Sequence, residues 1–419
     1  MNVFVEQAKV MYPGHSLHGK KFNVLIKNGM ITSLDQVNHA ADIKLNGEQL
    51  ILSPGWVDIG THSGEPGLEH RETLESLSLA ACAGGYTTLA IFPNTKPPLH
   101  SKSEIEFIRQ KSKDLLTELI PIGAISKGNA GKELAEMIDM HTSGAIAFSD
   151  GKYPVQDTGV MMRAMMYAKH FDGLIINQPQ DDALASLGQM HEGNVSQRLG
   201  LKGIPDLAET IMLQRDIQLA QYCNTKLLSH LISSEKSLGF IKKAKKDFDK
   251  IYTSVSYLNL IFSDQALESF DSMYKQSPPL RNQKDQRALI KAIEEDLIDI
   301  ICTNHRPLEV EKKDLEFAYA APGTIGLQTC FAAIHTEGIL TTDDWIQRVA
   351  INPRKVLGLE QPEIKIGATA DLTLFDTKSK WTFKTGDSYS KSINSPFFEK
   401  EFTGKVVATF NKGKGWVNT

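Results

Sequence analysis

LESLSLAACAGGYTTLAIFPNT, residues 74–95, carries the pattern on which the fold turns. From Leu74 the leucines and alanines recur at helical spacing, and the Gly84-Gly85 pair marks the helix end. Tyr86 then opens a short run of aromatic, β-branched and apolar residues, which reads as a buried strand. The strand breaks at Pro93-Asn94. One helix followed by one strand with a polar turn at its C-terminal end is the repeating unit of a parallel sheet.

The unit recurs along the chain. LTELIPIGAIS (116–126) and GAIAFSD (144–150) read as strands. GVMMRAMMYAKHF (159–171) is a helix leading to GLIINQP (173–179), and its methionine stripe reads as helix core. LAETIMLQRDIQLAQYCN leads to TKLLSHLIS, SLGFIKKAKKDF to KIYTSVSY, and DQRALIKAIEEDL to IDIICTNH (298–305). Lys242, Lys243, Lys245 and Lys246 in the third of these helices read as its solvated face. Seven or eight units in about 300 residues predict a (β/α)8 barrel, an α/β fold. Short-strand texture replaces the pattern at both ends. FNVLIKNG (22–29) reads as a hairpin arm turning at Asn28-Gly29, and IKIGATADLTLFD and GKVVATFNKGKGWV follow Leu359. Residues 1–52 and 358–419 are therefore expected to form one small β-sandwich, and 53–357 the barrel.

Composition narrows the class. The 419 residues carry 46 Lys+Arg against 50 Asp+Glu, a formal charge of −4, which gives no electrostatic case for nucleic acid or an anionic membrane. No apolar run is long enough to span a bilayer and no leader pattern is present, so a cytoplasmic protein is expected. Four dispersed cysteines, Cys82, Cys223, Cys302 and Cys330, predict reduced core thiols.

Barrel chemistry sits at the C-terminal ends of strands. Those ends read PGWVDIGTHSGEPG (54–67), FPNTKPP (92–98), FSDGKYP (148–154), INQPQDDAL (176–184), LSHLISS (228–234) and ICTNHRP (301–307). The first resembles the opening D-x-H-x-H-x-R-E-P-G motif of the dihydroorotase branch of the amidohydrolase superfamily. The resemblance continues in order through FSDGKYPVQDTG, HEGNVSQRLGLKGIPDLAE (191–209), SPPLR (277–281), TNHRP, PGTIGLQT, NPRKVLGL, GATADLTLFD and SINSPF (392–397). It is strongest to the longer, bacterial-type enzymes that work beside aspartate transcarbamoylase. The family implies an amidohydrolase-type barrel with a zinc centre that opens and closes the cyclic amide of dihydroorotate in pyrimidine biosynthesis.

That chemistry needs several neutral histidines or carboxylates around zinc, a proton-accepting base and a cation for the substrate carboxylate. Measured against the family's motifs, this chain lacks most of them. The first histidine of the H-x-H pair is Gly60, and His62 remains. The substrate arginine is Gly64. Where the family reads H-C-E-D this chain has Gln178-Pro179-Gln180-Asp181, and an amide oxygen is a poor substitute for imidazole on zinc. His230 survives from H-x-x-H-V-S. In T-D-H-A-P-H the base position is Asn304, whose amide accepts no proton at neutral pH, and the last histidine is Leu308. The asparagine of N-P-P-L-R is Ser277. F-S-D-D-G is reduced to Asp150-Gly151-Lys152, so one aspartate is lost. Asn94, a substrate contact in the family, is retained.

No catalytic set is intact, and His62, His230 and Asp150 are remnant metal candidates. The two histidines are read as hydrogen-bonded residues of the barrel mouth, Asp58 and Asp181 as helix caps or backbone-amide ligands, and His305 as a loop support. Zinc is expected to be absent or held as one weakly bound ion. The expected function is that of a noncatalytic homologue, a scaffold or regulator of the aspartate transcarbamoylase catalytic subunit that assembles as a homo-oligomer. The alternative is a working cyclic amide or imide hydrolase with an altered metal centre.

Overall fold

The computed structural model describes residues 2–35, 37, 40–46 and 49–418. The expected alternation closes into a barrel. Its parallel strands are Trp56–Thr61, Tyr86–Ile91, Glu118–Pro121, a short segment at Phe148, Leu174–Asn177, Lys226–Ser229, Ile251–Ser256 and Ile300–Cys302. The fourth position is shorter than the 144–150 run suggested. Phe148 alone bridges both neighbours, yet Ile146 N donates to Pro121 O (3.0 Å) and Phe148 N to Leu174 O (2.9 Å), so the pairing on each side is real. Gly144, at φ +107°, bends the chain just before it. The seam between last and first strands is closed by a side chain. The buried Asp58 carboxylate accepts from Thr303 N and Thr303 Oγ1, both at 2.8 Å, and His62 N donates to His305 O at 3.0 Å. Asp58 is thus a backbone-amide ligand, as its sequence context implied.

Helix ends follow their local chemistry. Thr73 Oγ1 accepts from Ser76 N to start the helix Leu74–Ala83, which ends at Gly84. Asp157 caps Thr158–Lys169, and Asp181 caps the short helix Asp182–Ala185. Of the methionine stripe, Met161 and Met165 are buried core, whereas Met166 is 49% exposed. The stripe is wider than the buried face, so one methionine is left outside.

The termini build one continuous sheet in the order Lys414–Val417, Lys400–Asn411, Leu372–Phe383, Leu50–Pro54, Asn2–Val10, Lys21–Lys27, Met30–Asp35, with Ile43–Leu45 beside Asn2–Val10. It forms the β-sandwich domain around Val3, Val24, Ile31, Leu52, Leu372 and Phe410. The Asn28-Gly29 turn has φ of +49° and +71°, the geometry a two-residue hairpin requires, and Lys27 pairs with Met30 across it.

The sandwich and barrel share an apolar seam, where Trp56, Phe331, Trp345 and Phe375 pack with ring centroids 4.9–5.6 Å apart. Arg354, 2% exposed, locks the same seam by donating to Gly55 O (2.5 Å) and Asp371 Oδ2 (2.8 Å). Residues 390–394 then return over the barrel mouth. Asn394 Nδ2 donates to Arg306 O and Gly323 O, and Leu308 N donates to Asn394 Oδ1.

Candidate functional site at the barrel mouth

Gly60, in the first barrel strand, has φ +88° and sits where the family motif places a metal-binding histidine. A Cβ there would lie 2.6 Å from His230 Nε2 and 2.8 Å from Phe92 Cε2. The next two losses are closed in the same way. A Cβ on Gly64 would meet the carbonyl oxygens of Glu72 and Leu68 at 2.3 Å, and one on Gly151 would meet Asn94 Oδ1 at 1.9 Å. Real Cβ contacts do not come this close, so a side chain at 64 would meet backbone, while one at 60 or 151 would have to displace the rings of His230 and Phe92 or the Asn94 amide.

His62 and His230 both pack edge-on against Phe92, with centroids at 5.4 and 5.2 Å. His230 Nδ1 lies 3.0 Å from Ser254 Oγ, while its Nε2 is buried with no hydrogen-bond partner. The His62 ring makes no hydrogen bond among the described residues, so the expectation of a hydrogen-bonded pair holds for one nitrogen of His230 and fails for His62. An apolar ring occupies the space between them where polar partners would stand. Burial holds His230 down to about 3, and burial together with the positive charges of Arg306 and Lys152 holds His62 well below its ordinary value. Both are neutral imidazoles at physiological pH.

The other degenerate positions are joined to one another. Gln178 Nε2 donates to Ser277 Oγ (3.1 Å), and Asn304 Nδ2 donates to Ser277 O (3.1 Å). Leu308 is buried, and its N donates to Asn394 Oδ1 at 3.1 Å. Asp150 accepts from Ser126 N at 2.9 Å with one oxygen and from Ser126 Oγ with the other, and burial raises it to about 6. Asn94, expected as a surviving substrate contact, uses both ends of its amide to hold the neighbouring strand end. Its Nδ2 donates to Asp150 O and its Oδ1 accepts from Lys152 N, each at 3.0 Å. His305 Nδ1 accepts from Gly326 N at 3.1 Å, a loop support as read from the sequence, and its Nε2 faces Glu72 Oε2 at 3.5 Å.

Zinc requires three or four convergent nitrogen, sulfur or carboxylate donors. Among the described residues no group of three or more His, Cys, Asp or Glu is placed to hold a metal ion. Gly60 contributes no atom, the Gln178 side chain is bonded to Ser277, and both Asp150 oxygens are bonded to Ser126. The residues present do not fit the family's zinc centre. The four cysteines offer no substitute. All are free and buried, and burial pushes the Cys302 and Cys330 thiols up, away from the reactive thiolate.

Sequence reasoning missed two groups. The first is a buried knot made from motif residues. Glu209 accepts from Ser233 N, Ser234 N and Ser237 Oγ and lies 3.6 Å from Arg281, which also reaches Ile204 O and His191 Nδ1. Its members come from HEG, DLAE and SPPLR, and only their collinearity hinted at contact. The second is a pair of cations at the mouth, Lys152 and Arg306. Each follows a strand-end motif directly, where the family pattern has glycine and alanine.

A further buried lysine sits outside the mouth. Lys313 is 2% exposed and donates to Ser272 O and Ala321 O; burial, then the charge of Lys275, lowers it to about 7. Between pH 7 and about 10 the unfolded chain therefore binds more protons than the folded one, and stability contributed at this site rises with pH. Denaturant midpoints measured across that range should climb more steeply for the native chain than for Lys313→Met. Equal slopes would show that Lys313 titrates normally.

The fold is an amidohydrolase-type barrel, at whose mouth the described residues place no group of metal donors. Solved structures share the fold. The L-hydantoinase of Arthrobacter aurescens superposes with a TM-score of 0.86 at 19% identity, covering 100% of this chain and 97% of that one. The dihydropyrimidinase of Brevibacillus agri NCHU1002 does so at 0.83 and 19%, covering 100% and 95%. The family model described as dihydro-orotase-like matches residues 49–237. Proteins named dihydroorotase from Syntrophus aciditrophicus and Aquifex aeolicus are each 35% identical over 99% of this chain and 99% of their own. One from Thermoanaerobacter sp. is 36% identical over 94% and 92%. The chain belongs to the dihydroorotase family. Among the described residues no helix is long and apolar enough to cross a membrane.

Proposed function

We propose that this chain is a noncatalytic dihydroorotase homologue that serves pyrimidine biosynthesis by assembly. It acts as a scaffold or regulator of the aspartate transcarbamoylase catalytic subunit, as a homo-oligomer in the cytoplasm, with residues 1–52 and 358–419 as one unit and 53–357 as the other. The observation that carries the reading is the closure of positions 60, 64 and 151, where a Cβ would collide with neighbours at 1.9–2.6 Å. Replacements that merely removed side chains would leave a vacancy that water or metal could re-enter. Here the rings of His230 and Phe92, the backbone of residues 68 and 72 and the Asn94 amide fill those volumes. Loss of a general base alone costs a catalyst about 10²–10⁴ in rate, and the metal's contribution is lost in addition.

The test is an assay of carbamoyl-aspartate cyclisation with zinc supplied, run beside metal analysis and co-migration with the aspartate transcarbamoylase catalytic subunit. The expected result is no rate above the solution background, zinc well below one equivalent, and a stable complex. A chelator-sensitive rate, or failure ever to co-migrate, would overturn the reading. One observation favours a second reading, a hydrolase with a single-metal centre. His230 Nε2 is buried without a partner at the mouth, beside the neutral His62. That reading requires about one equivalent of bound zinc, lost in His230→Ala, together with turnover of a cyclic amide or imide.

A further inference from the structure

Barrel and sandwich enclose a recess of about 360 Å³, and none of its lining residues belongs to the strand-end motifs. Its barrel side is formed where the helix Leu74–Ala83 ends and the helix Cys330–Thr336 begins. Its sandwich side is formed by three successive strands of the terminal sheet, Leu372–Phe383, Lys400–Asn411 and Lys414–Val417. Residues 386–389 make the rim. The volume falls within the range of small-molecule sites, roughly 300–1,000 Å³.

The aromatic walls of this recess are fixed. Trp381 Nε1 donates to Gly404 O at 2.8 Å, and its ring packs on Phe383 and Phe402 with centroids 5.9 and 5.5 Å away. Trp416 and Tyr389 meet edge to face, 6.2 Å apart at 85°, which joins the last strand to the rim. Gln328 pins that rim to the barrel, because its Nε2 donates to Asp387 O (3.0 Å) and its Oε1 accepts from Tyr389 N (2.8 Å). The following residue, Ser390, donates through its Oγ to the buried Glu72. Aromatic walls held in this way take a flat ring with little ordering cost.

Two polar groups of the lining are left without partners. Ser388 Oγ is buried and has no hydrogen-bond partner among the described residues, a state that costs stability until something bonds it. Lys405 is half-buried and makes no side-chain hydrogen bond or ion pair among the described residues. It stands opposite Asp376 in the sheet, but the oxygens of Asp376 are already bonded to Lys378 N, Ser379 N and Ser379 Oγ. The other charged side chain of the lining is the Asp387 carboxylate. One cation beside one carboxylate suits a ligand with a single negative charge and disfavours a dianion.

We propose that this recess binds a flat aromatic carboxylate, with its ring against Trp381, Trp416 and Tyr389, Lys405 as the counter-charge and the Ser388 hydroxyl as a further donor. The site goes beyond the assembly reading and stands apart from it, because it uses none of the mouth residues on which that reading rests.

The experiment titrates the full chain calorimetrically with nicotinate and, separately, 2-naphthoate. Cyclohexanecarboxylate, and sodium chloride at matched ionic strength, are the controls. At least one aromatic acid is expected to bind saturably at about 1 mM or tighter, and about fivefold tighter than cyclohexanecarboxylate, which carries the charge without the flat ring. The acid that binds tells a single heterocyclic ring from a fused hydrocarbon one. Lys405→Gln should weaken that binding about tenfold, and Ser388→Ala about threefold or more. Neither side chain has a partner to lose, so both variants are expected to melt with the native chain. Two of the four tryptophans line the recess, while Trp56 and Trp345 are buried in the apolar seam. Quenching of tryptophan emission by nicotinate should therefore fall in Trp416→Phe. No saturable binding of either aromatic acid, equal binding of cyclohexanecarboxylate, or unchanged affinity in Lys405→Gln would overturn the proposal.

Discussion

Gly60→His, the substitution that would write the missing ligand back into the sequence, is expected to destabilise the chain without creating a zinc site. The Cβ alone would stand 2.6 Å from His230 Nε2 and 2.8 Å from Phe92 Cε2, and the backbone at φ +88° disfavours any L side chain. Overpacking of a tight core costs about 1–3 kcal/mol, and a left-handed conformation adds about 1–2 kcal/mol. At roughly 2 °C per kcal/mol for a large domain, the melting temperature should fall by about 5 °C or more. Metal content should stay where it was. The mechanism has its own signature, since Gly60→Ala should cost less in a His230→Ala background than in the native chain. Equal costs in both backgrounds, or a stable Gly60→His variant that gains an equivalent of zinc, would show that the mouth is an open vacancy.

The second large effect is expected at Glu209. This carboxylate is 2% exposed and faces Arg281, itself 3% exposed, at 3.6 Å, while holding Ser233 N and Ser234 N at the start of the helix Glu235–Asp247. Glu209→Ala leaves the Arg281 charge buried without its counter-charge and two backbone donors without an acceptor. Breaking a buried pair from one side costs about 3–5 kcal/mol. Urea denaturation should show a loss of that size. Glu209→Gln combined with Arg281→Met should recover part of it, because the double variant strands no charge. A Glu209→Ala variant within about 1 kcal/mol of the native chain would mean that Arg281 finds its compensation elsewhere.

Much of the architecture was legible because its signals are local. The Gly84-Gly85 stop, the Asn28-Gly29 turn and the Asp181 cap each act within a few residues, and each appears where the sequence put it. The fourth barrel strand was less legible. Its pairing rests on Pro121, Gly123 and Leu174, which its own residues do not announce. The site divides along the same line. The absence of a donor at Gly60 and of a base at Asn304 is a property of residue type, visible without coordinates. The use made of Asn94 was not visible, because an asparagine that binds substrate and one that fastens a loop are spelled alike.

By itself, then, the sequence determined the barrel, the sandwich drawn from both termini and which strand-end positions carry no metal donor. Periodicity, turn residues and donor atoms are carried by each residue and its near neighbours. Tertiary structure alone decided that neighbours stand where a Cβ at positions 60, 64 and 151 would go, and that Glu209 meets Arg281. Those facts join residues up to 170 positions apart, from 60 to 230, and contacts at such separations are set by how the strands close, which no local pattern encodes.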